Sequence, residues 1–454
     1  MARLTFIHAS DIHLGRPFSG LDRMSSELGS LFRSAAKEVW DRIVRTSIER
    51  SVDFVVLAGD IFDASSPAIR ARVAFREGVE RLHEAGILVL LALGNHDPLA
   101  RLPDSLRRLP GLHVFGATPE GVAFPNLEIT EGVKIYGASF ERSAVRENLA
   151  VRFKRDSGLH TAIGVLHTNV SGSQGHEDYA PCTLDDLKGA GMDVWCLGHV
   201  HTPRVLCSDP LVIYSGAAQG SQMRERGARG CYLVTVDEKS PASCQFLPLA
   251  PVWWQTVDLD VTGLDTIDDS LRAAESAFSW LVENDNSPDA VVARINLTGA
   301  NRSIAETLTS DGEAIDLLAE RLSFLPAPVF LESVTVTTSP WDDLEALELD
   351  QGLVADFLRE CSRAAEDSRG IRELSEAVLR DLLQHLSHSY LPEELRSNGT
   401  TDEVWRLLIG EAAAVAGRLF LAGESDCGVS KVPRKIHKPH ESVSDFGKRS
   451  EGPS

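Results

Sequence analysis

The first 250 residues alternate short, wholly apolar runs with longer amphipathic ones. Residues 4–7, 54–57, 87–93, 163–166 and 194–197 are apolar, rich in Val, Leu and Ile, and too short for helices, which is the pattern of strands buried on both faces. Residues 28–48 and 69–83 instead carry apolar positions at helical spacing, with charges on the other face. This repetition of strand, loop and helix predicts a layered α/β domain over 1–250. In such domains the loops beyond the carboxyl ends of the strands build the site.

Strand signals continue at 211–214, 231–236 and 244–247 without long helices. A second unit starts near Trp253 and reads as strand 255–261, helix 267–282, strand 290–297, helix 304–322 and strand 329–337, a small α/β cap over 251–340. Past Pro340 the pattern turns helical and acidic through 344–366, 371–386 and 404–421, which gives a helical region at 341–422. Residues 423–454 are rich in Ser, Gly, Pro and Lys with few large apolar side chains, and read as a disordered tail.

Composition narrows the class. At 454 residues and 43% hydrophobic content the chain suits two or three ordinary globular domains. No apolar run is long enough to span a bilayer, so no membrane role is expected. Residues 1–7 run straight into a polar motif, without room for a cleavable signal peptide. Seven cysteines, an odd count without a Cys-x-x-Cys pair, predict reduced thiols in a cytoplasmic protein. The net charge of −21 is unevenly spread: residues 1–250 hold 27 Lys and Arg against 29 Asp and Glu, while 251–454 hold 18 against 37. The acidity thus lies outside the segment with the candidate chemistry, and it does not exclude a nucleic-acid substrate.

That chemistry lies in five short motifs, most of them following an apolar run: Asp11-Ile12-His13, Gly59-Asp60-Ile61-Phe62-Asp63, Gly94-Asn95-His96-Asp97, a lone His167, and Gly198-His199-Val200-His201. Each has a bland reading as a turn, cap or polar strand end, but five together at strand ends supply the ligands of a two-metal phosphoesterase centre. Asp11 and His13, two apart in an extended segment, project to one side and can grip one ion. Asp60 follows a glycine that permits a sharp turn, so its carboxylate can bridge two ions. Asn95 offers an oxygen and His167 a nitrogen, and His199 and His201 repeat the two-apart spacing. Two ions about 3.5–4 Å apart would activate a water for in-line displacement at phosphorus. His96, beside Asn95, is the candidate general acid for the leaving group. Asp97 could orient it or cap the next turn, Asp63 could support a ligand histidine or cap a helix, and His176 could line the cleft. His8 reads as a supporting or packing residue.

At these motifs the chain resembles the calcineurin-like metallophosphoesterases, and more narrowly their SbcD and YhaO branch of DNA repair nucleases. The narrower likeness rests on Phe6 to Leu14, Pro17-Phe18 with Gly20-Leu21, Ala58 to Asp63 with Pro67, Tyr179 to Cys182, Trp195 to His201 and Gly227 to Gly230. It covers about residues 1–250. The resemblance implies a four-layer αββα sandwich binding two manganese ions, with Asp11, His13, Asp60 and His201 on one ion and Asp60, Asn95, His167 and His199 on the other. It also implies His96 at the leaving group, DNA as substrate, and an SMC-like (SbcC-like) ATPase docked on 341–422. Two departures stand out. Tyr214-Ser215-Gly216-Ala217 replaces a loop that often holds Pro-Gly and a polar residue, and Asp63 stands where some relatives carry histidine, which leaves exonuclease against endonuclease preference open. The expectation is a manganese-dependent DNA nuclease attacking phosphodiesters with hydroxide activated by two metals, of open oligomeric state, a homodimer included. A phosphodiesterase for small or nucleotide-like substrates is the alternative, and a non-catalytic scaffold the second.

Overall fold

The structure is a computed structural model that describes residues 3–16, 26–63, 69–123, 132–170, 179–237, 240–278, 287–299, 301–336 and a few between 355 and 363. His176, Pro17 to Leu21, Pro67, the tail and nearly all of the proposed 341–422 dock lie outside the described residues.

Two six-stranded sheets form the body. One runs in the order β12-β11-β1-β2-β3-β4, from Ser240–Pro248, Gly230–Asp237, Leu4–Ala9, Phe54–Ala58, Leu88–Ala92 and Leu112–Val114. The other runs β5-β6-β7-β8-β10-β9, from Glu120–Val122, Val133–Ala138, Thr161–His167, Val194–Gly198, Leu211–Tyr214 and Arg204–Ser208. Strands β1, β2 and β3 are parallel, as are β6, β7, β8 and β10. Their carboxyl ends are where the five motifs begin.

Period-two alternation explains why the strands read as unbroken apolar runs. In β2, Phe54, Val56 and Ala58 face a core shared with Ile163, Val165 and Cys196 of the opposite sheet, while Val55 and Leu57 face helices. Those helices are α1 (Ser26–Glu49) and α2 (Ile69–Glu84). They approach closely at Gly78, where a Cβ would sit 2.2 Å from the Trp40 indole nitrogen, whose N–H donates to Ala74. The outer face of the second sheet is covered by helix Leu184–Gly189, the turn Ala150–Arg152 and the side chains around Trp195. The result is the αββα sandwich.

A separate parallel sheet joins β13 (Val252–Asp260), β14 (Ala290–Thr298) and β15 (Val329–Val336), with helices packed on it. The helix expected at 304–322 is in fact two, Arg302–Ser310 and Gly312–Ser323. Asp311 ends the first in extended backbone and caps the second by accepting the Glu313 amide. The helix expected at 267–282 ends at Ala277 with Phe278 as its cap. Strand β6 escaped the sequence pattern because Lys134 and Gly137 interrupt its apolar run; a Cβ on Gly137 would meet the Phe115 ring at 2.2 Å. By contact density the chain divides into Met1–Thr337 and Thr338–Ser454, and the described residues of the second unit are helical.

Candidate metal centre

Five strands deliver the motifs to one edge of the sandwich: β1 to Asp11 and His13, β2 to Asp60, β3 to Asn95 and His96, β7 to His167, and β8 to His199 and His201. The first two loops pair backbone to backbone, with the Asp11, His13 and Leu14 amides donating to the carbonyls of Gly59, Asp60 and Ile61. This pairing holds an unusual backbone. Six non-glycine residues among those described have positive φ, and four of them are Asp11 (48°), His13 (50°), Asp60 (53°) and His199 (97°). Each such residue costs about 1–3 kcal/mol, and such strain persists where the surroundings enforce it and concentrates at functional sites. The motif glycines serve close approach. A Cβ on Gly94 would lie 2.2 Å from Asp60 Oδ1, and one on Gly198 1.9 Å from the Ala58 carbonyl oxygen.

One ligand atom from each of Asp11, His13 and His201 lies within 4.8 Å of the other two, as holds for His13, Asp60 and His96, and for Asp11, Asp60 and His167. Asn95 Oδ1 lies 3.0 Å from His167 Nε2. The His199 amide donates to Asp11, and its ring lies 5.2 Å from that of His167 and 5.7 Å from that of Tyr179.

The polarity of these contacts fits bound cations. His167 Nδ1 donates to the Ala58 carbonyl at 3.0 Å, and His201 Nδ1 to Glu225 Oε1 at 2.6 Å. In the neutral rings each Nε2 is therefore a bare lone pair. One faces the Asn95 oxygen, and the other faces His13 Nε2 at 3.4 Å. Facing lone pairs repel unless a proton or a cation lies between them. Burial, then the charges of Asp97 and Asp11, push Asp60 well above the usual carboxylate range. Burial would raise Asp11 as well, but His167, His201 and His13 bring it below its ordinary value. Burial and neighbouring His201 hold His13 well below the ordinary imidazole range. Carboxylate, imidazole and amide oxygen together suit a first-row divalent ion.

His96 stands at the rim, its side chain 34% exposed, with Nε2 3.9 Å from Asp60 Oδ2 and Nδ1 3.5 Å from Asp63 Oδ1. Asp63 raises its pKa against the opposing effect of burial. Asp63 also lies 3.9 Å from His13 Nδ1, so it supports two site histidines. Asp97 does something else. Its carboxylate accepts the amides of Asp60, Ile61, Phe62 and Gly94, stapling the β2 and β3 loops together.

Glu225 escaped the sequence reading. Its Oε2 accepts the Ser221 amide and hydroxyl while Oε1 holds His201, and against burial these bonds draw it down to about 2. Arg229 bonds the carbonyls of both His201 and Glu225. Glu225 sits in a polar stretch, Ser221 to Gly227, that reads as an ordinary surface loop, and no spacing rule points to it.

Comparison with known proteins agrees with this geometry. The calcineurin-like phosphoesterase family matches residues 4–203, and the middle domain of metallophosphoesterase YhaO matches 254–339. The chain is 36% identical over 283 residues to the "uncharacterized metallophosphoesterase YhaO" of Bacillus subtilis, covering 61% of this chain and 68% of that protein. It is 27% identical over 235 residues to the DNA double-strand break repair protein Mre11 of Sulfurisphaera tokodaii, covering 51% and 57%. To the SbcD component of the nuclease SbcCD of Escherichia coli it is 31% identical over 102 residues, 22% of this chain and 23% of that one. A layered sandwich, a cluster of histidines and aspartates able to hold metal, and a YhaO relative matched over most of its length lead to one assignment: the chain belongs to the calcineurin-like phosphoesterases, in the branch that includes YhaO and the Mre11 and SbcD nucleases.

Proposed function

We propose that this phosphoesterase is a DNA nuclease holding two divalent ions, manganese by preference. The observation that carries the nuclease reading is the groove beside His96, lined by Asp63, Phe62, Arg72, Arg101 and Pro103. It sets two guanidinium groups next to the candidate general acid, where the phosphates flanking a scissile bond would need neutralising. A site built for a small ester has no such requirement.

In this reading Asp11, His13, Asp60 and His201 hold one ion and Asp60, Asn95, His167 and His199 the other. Bound divalent ions supply a water of lowered pKa and neutralise charge on the phosphate. The protein's own groups do the rest. Asp63 faces Nδ1 of His96 and so turns Nε2 to the site, where it can give its proton to the leaving alkoxide. Glu225 fixes the tautomer of His201, and Asp97 holds the two ligand loops in register. The relatives' names extend the proposal to cytoplasmic DNA repair, with an SMC-like ATPase as partner on 341–422, since SbcD is named as one part of the two-component nuclease SbcCD.

The test is cleavage of end-labelled linear duplex DNA with manganese, beside bis(p-nitrophenyl) phosphate, for wild type and His96→Ala. DNA cleavage that vanishes in the variant is the expected result. Turnover of the small ester without any DNA cleavage would replace the nuclease with a small-molecule phosphodiesterase.

A further inference from the structure

Beside the metal centre lies a second concavity of about 330 Å³ that the reaction at the ions does not use. It is walled by the segment after β6, and Arg142, Arg146 and Arg152 line it together with Glu141 and Glu147. Arg152 pairs with Glu147. Arg142 and Arg146 are exposed and have no ion pair or hydrogen bond among the described residues.

The wall is fastened to the site's own loops. The Phe140 amide donates to Leu93 at 2.9 Å, Ser139 Oγ accepts the Leu93 amide at 3.0 Å, and the Leu99 amide donates to Phe140 at 2.9 Å. Ala100 donates to Glu141, and Ala180, next to the Tyr179 that faces His199, donates to Val145 at 2.7 Å. The Leu99–Arg101 turn thus separates two basic hollows, with Arg72 and Arg101 on the His96 side and Arg142 and Arg146 on the far side. Both open from loops at the carboxyl ends of strands, and the wall between them is a single turn.

We propose that this concavity is a backbone-phosphate subsite, in which Arg142 and Arg146 take phosphates of the same DNA strand whose scissile phosphate lies at the metal centre. The proposal rests on the nuclease reading and deepens it. Guanidinium forks bind phosphate oxygens in pairs, and unpaired arginines give up no protein partner when they do. One phosphate fills the metal centre, so a second basic hollow one turn away serves only a substrate that carries several. It reads charge and not sequence, because no aromatic or amide side chain lines it to face a base. Glu141 and Glu147 in the same wall disfavour non-productive anchoring of free anions there while leaving the guanidinium forks available.

The test measures binding of labelled single-stranded DNA, from a dinucleotide to about 16 nucleotides, by fluorescence anisotropy at several salt concentrations, using the full chain in a His96→Gln background. Cleavage of the same strands and of bis(p-nitrophenyl) phosphate is followed in the wild-type background, where the small ester reports on fold and metal centre. In the double variant Arg142→Ala/Arg146→Ala, the slope of log K against log salt should fall by about 1 per arginine removed. The gain in affinity with strand length should shrink, and the ratio of DNA to small-ester turnover should drop. Arg142→Lys/Arg146→Lys should keep most of the slope. An unchanged slope and ratio in the alanine variant, with wild type binding and cutting DNA, overturns the subsite and leaves the nuclease standing. Wild type that turns over the small ester and neither binds nor cuts DNA of any length overturns both. If the alanine pair also loses small-ester turnover, Arg146→Gln alone carries the same test with half the change in slope.

Discussion

Nδ1 of His201 lies 2.6 Å from Oε1 of Glu225, and the same carboxylate is anchored by the amide and hydroxyl of Ser221. A carboxylate behind a ligand histidine sets its tautomer and aims the other nitrogen, and loss of such a partner costs 10–100-fold in metal affinity. Glu225→Ala should therefore weaken manganese binding by about that factor, with Glu225→Gln intermediate, in calorimetric titration of the metal-stripped protein. Wild-type affinity in Glu225→Ala would mean that His201 is oriented by something else.

His96→Gln should behave differently. The glutamine keeps a polar side chain at the rim but cannot deliver a proton with the same ease, so kcat should drop by about 10²–10⁴. Bound metal, counted by elemental analysis, should stay near wild type because seven other residues are the proposed ligands. Asp63→Asn should produce a smaller loss in the same direction, since it removes the carboxylate facing His96 Nδ1. A His96→Gln protein that arrives without metal would make His96 a ligand.

Asp97 belongs to stability. Four backbone amides converge on its buried carboxylate, and Asp97→Ala strands them away from water. Unsatisfied buried donors are costly, and a loss of about 3 kcal/mol in unfolding free energy is expected, read by denaturant titration. Activity should fall with it, because the two ligand loops lose their common staple. A variant as stable as wild type would show that water replaces the carboxylate.

His8 supplies a pH signature. Its ring is wholly buried beneath the site, with Nε2 3.3 Å from the Ile213 carbonyl, and burial lowers its pKa from 6.5 to about 4. The unfolded chain takes up a proton that the folded one refuses. The associated stability is thus fully present above pH 6.5 and is lost as pH falls towards 4. Between pH 7 and pH 5 the loss is about 2 kcal/mol. His8→Gln, which cannot titrate, should lack that part of the acid sensitivity whatever its stability at pH 7. Parallel pH dependence in the two proteins would show that His8 is protonated when folded.

These assignments divide sharply by how local their physical basis is. The strands were legible because both faces of β1, β2, β3, β7 and β8 are buried, which writes the apolar run directly into the sequence. The ligand motifs were legible because each sits on a turn within a few residues of its strand. Partnerships across the fold were not. Asp97 follows His96 in the chain, which suggested that it orients the ring, yet its carboxylate turns towards backbone amides and Asp63 faces the imidazole instead. Glu225 reaches His201 from 24 residues away through a loop with no periodicity. The break at Asp311 was also hidden, since Ile304 to Leu322 keeps helical spacing straight through it.

The placement of β1 has a consequence for how the chain is made. This strand leaves the ribosome first, yet it lies in mid-sheet between β2 and β11, and Leu4 pairs with Val236. At 5–20 residues per second its antiparallel neighbour follows about 10–45 s later. Through that interval a nascent β1–β2–β3 sheet carries an open apolar edge, the kind of edge that recruits other chains. Synthesis that stalls before residue 230 should therefore yield aggregates or chaperone clients instead of a smaller working phosphoesterase.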